Sequence, residues 1–115
     1  MEYLNKIELL GQVGNVRLQT FNGRSVANVS VATTRVYRNA VGDPVMETTW
    51  HNVNVWEGRD VDDLKTLQKG DKVHVMGRML SRKFTGTDGV ERTAYEVTAY
   101  SLHVIDDPSP LSYEA

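Results

Sequence analysis

Trp50, Asn52, Asn54 and Trp56 alternate with His51, Val53 and Val55 along one short run of the chain. Two large flat rings interleaved with two amides suit stacking against other flat rings, with hydrogen-bonding groups set between the stacks. A second combination of this kind is Arg82, Lys83 and Phe84, and a third is Arg35, Val36, Tyr37 and Arg38. In both, an aromatic lies beside cations, which suits a partner that carries rings and negative charge together. Each set also has a plainer explanation. Tryptophans are buried under loops or at subunit contacts, and a lone Phe occurs on many solvated hairpins.

Catalytic chemistry finds fewer parts. The chain has no cysteine, and His51, His74 and His103 fall on separate segments without paired spacing, so no transition-metal set is expected. Asp60, Asp62 and Asp63 could be read as a divalent-metal cluster, but a helix start gives them a sufficient structural reason. Gly11 and Gly14 have no following helix and form no dinucleotide loop. No catalytic residue, metal or cofactor is assigned.

The elements that must carry these residues read mostly as strands. Leu4 to Val13 is dense in apolar residues, and Val16 to Phe21 continues it past Gly14, as a strand does at a barrel corner. Asn22–Gly23 is a hairpin signal. Ser25 to Tyr37 is rich in Val and Thr, with Val29, Val31 and Thr33 at period two. Arg38 to Thr48 holds Asn39, Gly42, Asp43 and Pro44 and reads as a loop. Thr49 to Glu57 is the third strand. A short helix follows, capped by Asp60, with Val61, Leu64 and Leu67 on one face and Lys69–Gly70 at its end. Asp71 to Phe84 and Val90 to Ile105 are the last two strands, joined by a loop over Thr85 to Gly89. Three strands, one short helix and two strands make a mainly β, five-stranded Greek-key barrel of the OB-fold type. Residues 1–105 are expected to form this domain and residues 106–115 a short flexible tail.

Strand parity then sorts the side chains. Val53 and Val55 demand the interior, which turns Trp50, Asn52, Asn54 and Trp56 outward and His51 inward. On the fourth strand Val73, Val75, Gly77 and Met79 share the inner side, while Arg78, Arg82 and Phe84 share the outer one. Tyr37 falls on the inner parity, so a bulge would be needed to turn it outward.

At 115 residues, with 40% hydrophobic and 24% charged residues, the chain is sized for one globular domain. The net charge of −2 argues against a nucleic-acid partner only at first sight. The last ten residues carry Asp106, Asp107 and Glu114 and no cation, so the remainder holds 13 basic against 12 acidic residues. A groove needs local positive potential and not a basic chain overall. Charges at Glu2, Lys6 and Glu8 exclude a signal peptide, and no apolar run approaches the roughly 20 residues of a membrane span. A cytoplasmic, nucleoid-associated protein is expected.

Several stretches together resemble the bacterial single-stranded DNA-binding protein family over Tyr3 to Val104. They are Asn5 to Gly11, Val26 to Thr33, Trp50 to Val53, Lys69 to Val73 with Val75 and Gly77, and Ser81 to Thr85. The resemblance implies a homotetramer, or a dimer, around which single-stranded DNA wraps. It implies stacking on Tyr37, Trp50, Trp56 and Phe84, and phosphate contacts from Lys6, Arg17, Arg38, Arg82 and Lys83; the residue pattern itself adds Arg35, Asn52 and Asn54 as expected phosphate or polar contacts. His51 and Arg78 are expected at a subunit interface. Sequence-tolerant binding and protection of DNA during replication, repair or recombination follow as the expected role. That family usually carries a long tail with an acidic tip that recruits replication and repair proteins. Here the chain stops at Leu111 to Ala115, so the expectation covers binding by the barrel and not recruitment by a tail. The alternative is an OB-fold primosome-type accessory module. Such relatives keep the barrel and lose part of the aromatic set, whereas all four aromatic positions are filled here.

Overall fold

The computed structural model describes residues 2–105. Five strands, β1 (Ile7–Phe21), β2 (Arg24–Arg38), β3 (Pro44–Trp56), β4 (Lys72–Thr85) and β5 (Glu91–Val104), close into a barrel in the order β1-β2-β3-β5-β4. Every pairing of these strands is antiparallel except the β3–β5 seam, which joins Val53–Val97, Asn54–Thr98 and Val55–Ala99 in parallel. The expected OB-fold barrel is therefore present, including its bulge-bent first strand. Residues 106–115, expected as a tail, lie outside the described residues.

Valine builds the interior. Val29, Val31, Val53, Val55, Val73, Val75 and Val97 are fully buried with Leu102, and Leu9, Val13 and Ala27 complete the same cluster. A five-stranded barrel has a narrow bore, and short β-branched side chains fill it while favouring extended backbone. Two buried glycines let strands approach closely. A Cβ on Gly11 would stand 2.2 Å from the Ala32 carbonyl oxygen, and one on Gly77 would stand 2.2 Å from that of Thr98.

The ladders correct three expectations. First, the expected loop at 38–48 is mostly strand. β2 and β3 pair without a register break from Val26–Trp56 to Arg38–Pro44, leaving a tight turn in which Asn39 accepts from the Val41 and Asp43 amides. Val45 to Thr48 show no burial pattern in the sequence because this hairpin projects beyond the core. Second, Met79 has the inner parity of β4 yet is 41% exposed, although its ladder partner Val97 is buried. Third, the helix is a single 3₁₀ turn, Leu64–Thr66, capped by Asp63 and not by Asp60. Leu64 and Leu67 plug the barrel end from this turn. The backbone before it is used differently. The Asp62 amide donates to the Leu102 carbonyl and the Leu102 amide to the Asp60 carbonyl, so this segment lies along β5 instead of coiling.

The displaced aspartates have a partner. His103 on β5 places Nε2 2.7 Å from Asp60 and Nδ1 3.0 Å from Asp62, whose other oxygen accepts from the Val104 amide. Both ring nitrogens can donate only in the imidazolium form. Hydrogen bonding to Asp60, then to Asp62, raises the His103 pKa above 6.5. His103 lowers the Asp60 pKa in return, while Asp62 is lowered first by the Val104 amide and then by His103. A histidine raised in the folded state stabilises fully below its unfolded value and loses that contribution as pH rises through its folded value. The aspartates contribute above 3.8 and lose their effect as pH falls through their lowered folded values. A His103→Gln variant should therefore melt below the parent by a margin that is largest between those limits and shrinks as pH climbs past the raised histidine value. Paired thermal melts across pH 4 to 9 measure that margin, and a constant gap would mean the latch does not titrate.

Candidate nucleic-acid interface

β3 turns its two tryptophans outward, as parity requires. Val53 and Val55 are fully buried, whereas Trp50 is 61% and Trp56 40% exposed. Six residues of strand separate the two rings by about 20 Å, with Asn52 and Asn54 on the same face between them. Across the ladder stand Ala32, Ser30, Asn28 and Val26 on β2, all facing the same side. Asn28 donates its amide to the Asn54 side-chain oxygen. The Asn54 amide hydrogens remain directed away from that bond.

The floor under Trp50 is Gly14. A Cβ there would come within 2.5 Å of the indole Cζ3 and 2.9 Å of Cη2, so the ring lies across β2 with its edge atoms over the glycine. Gly14 and Asn15 form a bulge in β1, where the register slips between Val13–Val31 and Val16–Val29 and the Asn15 amide donates to Ser30 Oγ. The bulge reverses parity in the rest of β1. Arg17, which would otherwise follow Leu9, Gly11 and Val13 inward, pairs with Asn28 and faces out beside the asparagines. One irregularity thus seats a tryptophan and delivers a cation to the same face.

Trp56 is bounded by the β1–β2 turn. The Arg24 guanidinium lies 5.2 Å from the centre of its ring, and Phe21 lies 6.3 Å away, tilted by 49°. Asn22 and Gly23 both have positive φ, so the two residues of the hairpin signal bring Phe21 and Arg24 together over the indole.

The remaining candidates divide among other faces. Arg82 and Phe84 share the outer face of the β4–β5 hairpin, with Phe84 45% exposed. Tyr37 does not join Trp50 and Trp56. The β2–β3 register is unbroken, so no bulge turns it, and it stays on the opposite side of that hairpin with Arg35 4.5 Å from its ring centre. Lys83 likewise has the inner parity of β4, opposite to Phe84. Because β3 and β5 run parallel at their seam, both hairpins leave the same end of the barrel, and their inner-parity faces border its mouth. Arg35, Tyr37 and Lys83 belong to that mouth, together with exposed Tyr95, which sequence reasoning misses. Tyr95 follows no cation in the sequence; only the pairing Ser81–Tyr95 places it diagonally from Lys83.

Several candidate cations already have acidic neighbours. Arg35 is 3.5 Å from Glu47, Arg82 3.7 Å from Glu96 and Lys83 3.7 Å from Glu91. The exposed Arg35 and Lys83 pairs contribute about 0–1 kcal/mol each, so an incoming anion can compete for those cations. Arg38 donates to the Gly42 carbonyl inside its own turn. Lys6 is exposed on the segment that Asn5 clips to Met79 of β4 through a pair of backbone-directed bonds. His51 and Arg78 are not brought together. His51 is half-buried at the barrel mouth, 2.9 Å from Thr33 Oγ1, with its pKa lowered by burial, while Arg78 is exposed on the outer face of β4.

Replacing Gly14 tests the seat of Trp50. Gly14→Ala should move the indole outward, shifting its emission to the red and increasing its quenching by iodide. The cost in stability should stay at about 1 kcal/mol, since only side chains need to shift. Unchanged emission would place the ring elsewhere.

Comparison with known proteins gives a consistent set of relatives. A family model described as the single-strand binding protein family matches residues 4–105. The single-stranded DNA-binding protein of Neisseria meningitidis serogroup B is 38% identical over 105 residues, covering 89% of this chain and 60% of that protein. The protein of the same name from Xanthomonas campestris is 31% identical over 104 residues, again 89% of this chain and 60% of the relative. The chain thus spans about 60% of the length of these relatives. Among solved structures, a Plasmodium falciparum SSB complex with ssDNA superposes with a TM-score of 0.78 at 31% identity, over 92% of this chain and 98% of that one. A deletion mutant of the Thermus aquaticus single-stranded DNA-binding protein shares the fold, with a TM-score of 0.71 at 20% identity, over 91% of this chain and 52% of that one.

Proposed function

The chain belongs to the single-strand binding protein family, and from that membership we propose that it binds single-stranded DNA without sequence preference and without catalysing a reaction. The observation that carries this is the outer face of β3, where two exposed indoles are held apart by two asparagines with Arg17 alongside. Unpaired bases of any identity offer a π-face to such rings, and each stack contributes about 1–3 kcal/mol. Asn52 and Asn54 supply hydrogen bonds between stacks that any base edge or phosphate can accept. Arg17, Arg82 and Lys83 hold the backbone by charge, with Lys6, Arg35 and Arg38 as further phosphate contacts. Phe84 and Tyr37 extend stacking onto the two hairpins. Protection of exposed strands in replication, repair or recombination is the role that suits this chemistry.

Oligo-dT should quench the intrinsic tryptophan fluorescence strongly. Trp50→Ala or Trp56→Ala should each weaken binding by about 1–3 kcal/mol with little loss of fold stability. A protein that gives no quenching and no anisotropy change with labelled oligo-dT would instead be an interaction module. The logarithm of the affinity should fall linearly with the logarithm of salt concentration, and removing one phosphate contact by Arg17→Ala or Lys83→Ala should flatten the slope by about one. An unchanged slope removes that cation from the contact set.

We further propose that the active form is a homo-oligomer, a tetramer or a dimer, and that copies meet on the outer face of β1, β4 and β5. Leu10 is 52% exposed there, with half-buried Met76 diagonal to it on β4, Arg78 farther along the same face and Tyr100 exposed at the adjoining bulge of β5. An apolar group of this kind among polar neighbours is a usual subunit contact. Light scattering should give a mass above one chain, and Leu10→Glu should lower it. A monomer in the parent protein would overturn this part.

A further inference from the structure

We propose that the DNA track does not end at Trp56 but crosses onto the β1–β2 turn, where Phe21 is an additional stacking residue and Arg24 an additional phosphate contact. This presupposes the single-stranded DNA binding proposed above and specifies the path of the strand at one end of it.

Phe21 is 53% exposed at the tip of a hairpin, where packing does not require an aromatic ring. Its own backbone partner is Arg24, so ring and cation emerge side by side from one turn. Both lie against Trp56, Phe21 with its ring centre 6.3 Å away and Arg24 at 5.2 Å over the indole. The 49° tilt between the rings leaves Phe21 with a face that Trp56 does not cover. A base stacked at the indole therefore has a second aromatic surface within one nucleotide's reach. β1 past its bulge presents Arg17, Gln19 and Phe21 on the outer side, opposite Asn28, Val26 and Arg24. These positions extend the Trp50-to-Trp56 face sideways across β2 to β1 without crossing a strand edge.

Charge favours this exit over the alternative. An open recess of about 680 Å³ also borders Arg24, and it is lined by Glu57, Asp62 and Asp63 with Lys65 as the other cation. Three carboxylates against two cations disfavour a phosphate entering the recess. The route over Phe21 passes Arg17 and Arg24 with no carboxylate on the β1 positions it crosses. Arg24 also donates to the Glu57 carbonyl at 3.3 Å, a long bond to a neutral acceptor that a phosphate oxygen can replace with a charge-assisted one.

The test uses the full chain and labelled oligo-dT. Phe21→Ala should reduce affinity roughly 5- to 150-fold, the range of a lost base stack, with the melting temperature and subunit mass unchanged. A second variant makes the contact visible. With Trp50 and Trp56 both replaced by Phe, Phe21→Trp leaves one indole at the turn, and oligo-dT should quench it. If the parent protein binds oligo-dT while Phe21→Ala binds equally well, the extension is wrong and the β3 platform stands. Binding of the single-indole variant by anisotropy without quenching overturns the extension in the same way. A changed subunit mass in Phe21→Ala would assign the ring to a contact between copies and also overturn the proposal. Failure of the parent protein to bind at all would instead remove the function on which this inference rests.

Discussion

Closure of five strands around a bore filled mostly by valine is the constraint from which the rest follows. Val29, Val31, Val53, Val55, Val73, Val75 and Val97 occupy the interior completely, so the alternate residues of the same strands have nowhere to go but outward. Exposure of Trp50 and Trp56 is thus a by-product of core packing and needs no separate stabilising device. Turning either ring inward would require slipping β3 by one residue, which would expose Val53 and Val55 together. At roughly 1.5–3 kcal/mol for each buried side chain lost to water, that slip is prohibitive for a domain of this size. The candidate binding surface is therefore as rigid as the barrel.

This is also why so much is legible in the sequence. Val53 and Val55 determine the face of β3, and Asn22–Gly23 determines the first hairpin, because in both cases local chemistry and global fold make the same demand. What parity does not reveal lies at the bulges. Gly14–Asn15 reverses β1, and nothing in the composition distinguishes that irregularity from a smooth bend. As a consequence the phosphate role of Arg17 rests on resemblance alone in the sequence, and nothing there marks Gly14 as the seat of Trp50. Tyr37 is the opposite case. A bulge is needed to bring it outward, the ladder has none, and the ring stays at the barrel mouth with Arg35. The short helix fails for another reason. Asp60 and Asp62 have good capping chemistry, but the backbone between them gains a partner strand in β5 and their side chains gain His103, which a cap cannot match.

The same placement reconciles a net charge of −2 with the proposed polyanionic partner. The Asp60–Asp62 pair is held by His103 on β5 and Asp63 is turned to cap the 3₁₀ element, so these carboxylates cluster at one end of the barrel. The β1–β2–β3 outer face carries Arg17 and Arg24 with amides, hydroxyls and rings between them. Acidic residues that do approach candidate cations sit across a ladder from them, Glu47 and Glu91 in exposed pairs and Glu96 as a largely covered carboxylate facing exposed Arg82. Such pairs hold extended cationic side chains in place while contributing little to stability. At Arg35 and Lys83 a phosphate that takes the cation releases an exposed carboxylate to solvent and not into a dry interior, so the exchange carries no large desolvation cost. Affinity for a strand then depends on how many rings it covers as well as on how much charge it neutralises. In the proposed reading, sequence tolerance follows from that division of labour, because neither a π-face nor a phosphate distinguishes one nucleotide from the next.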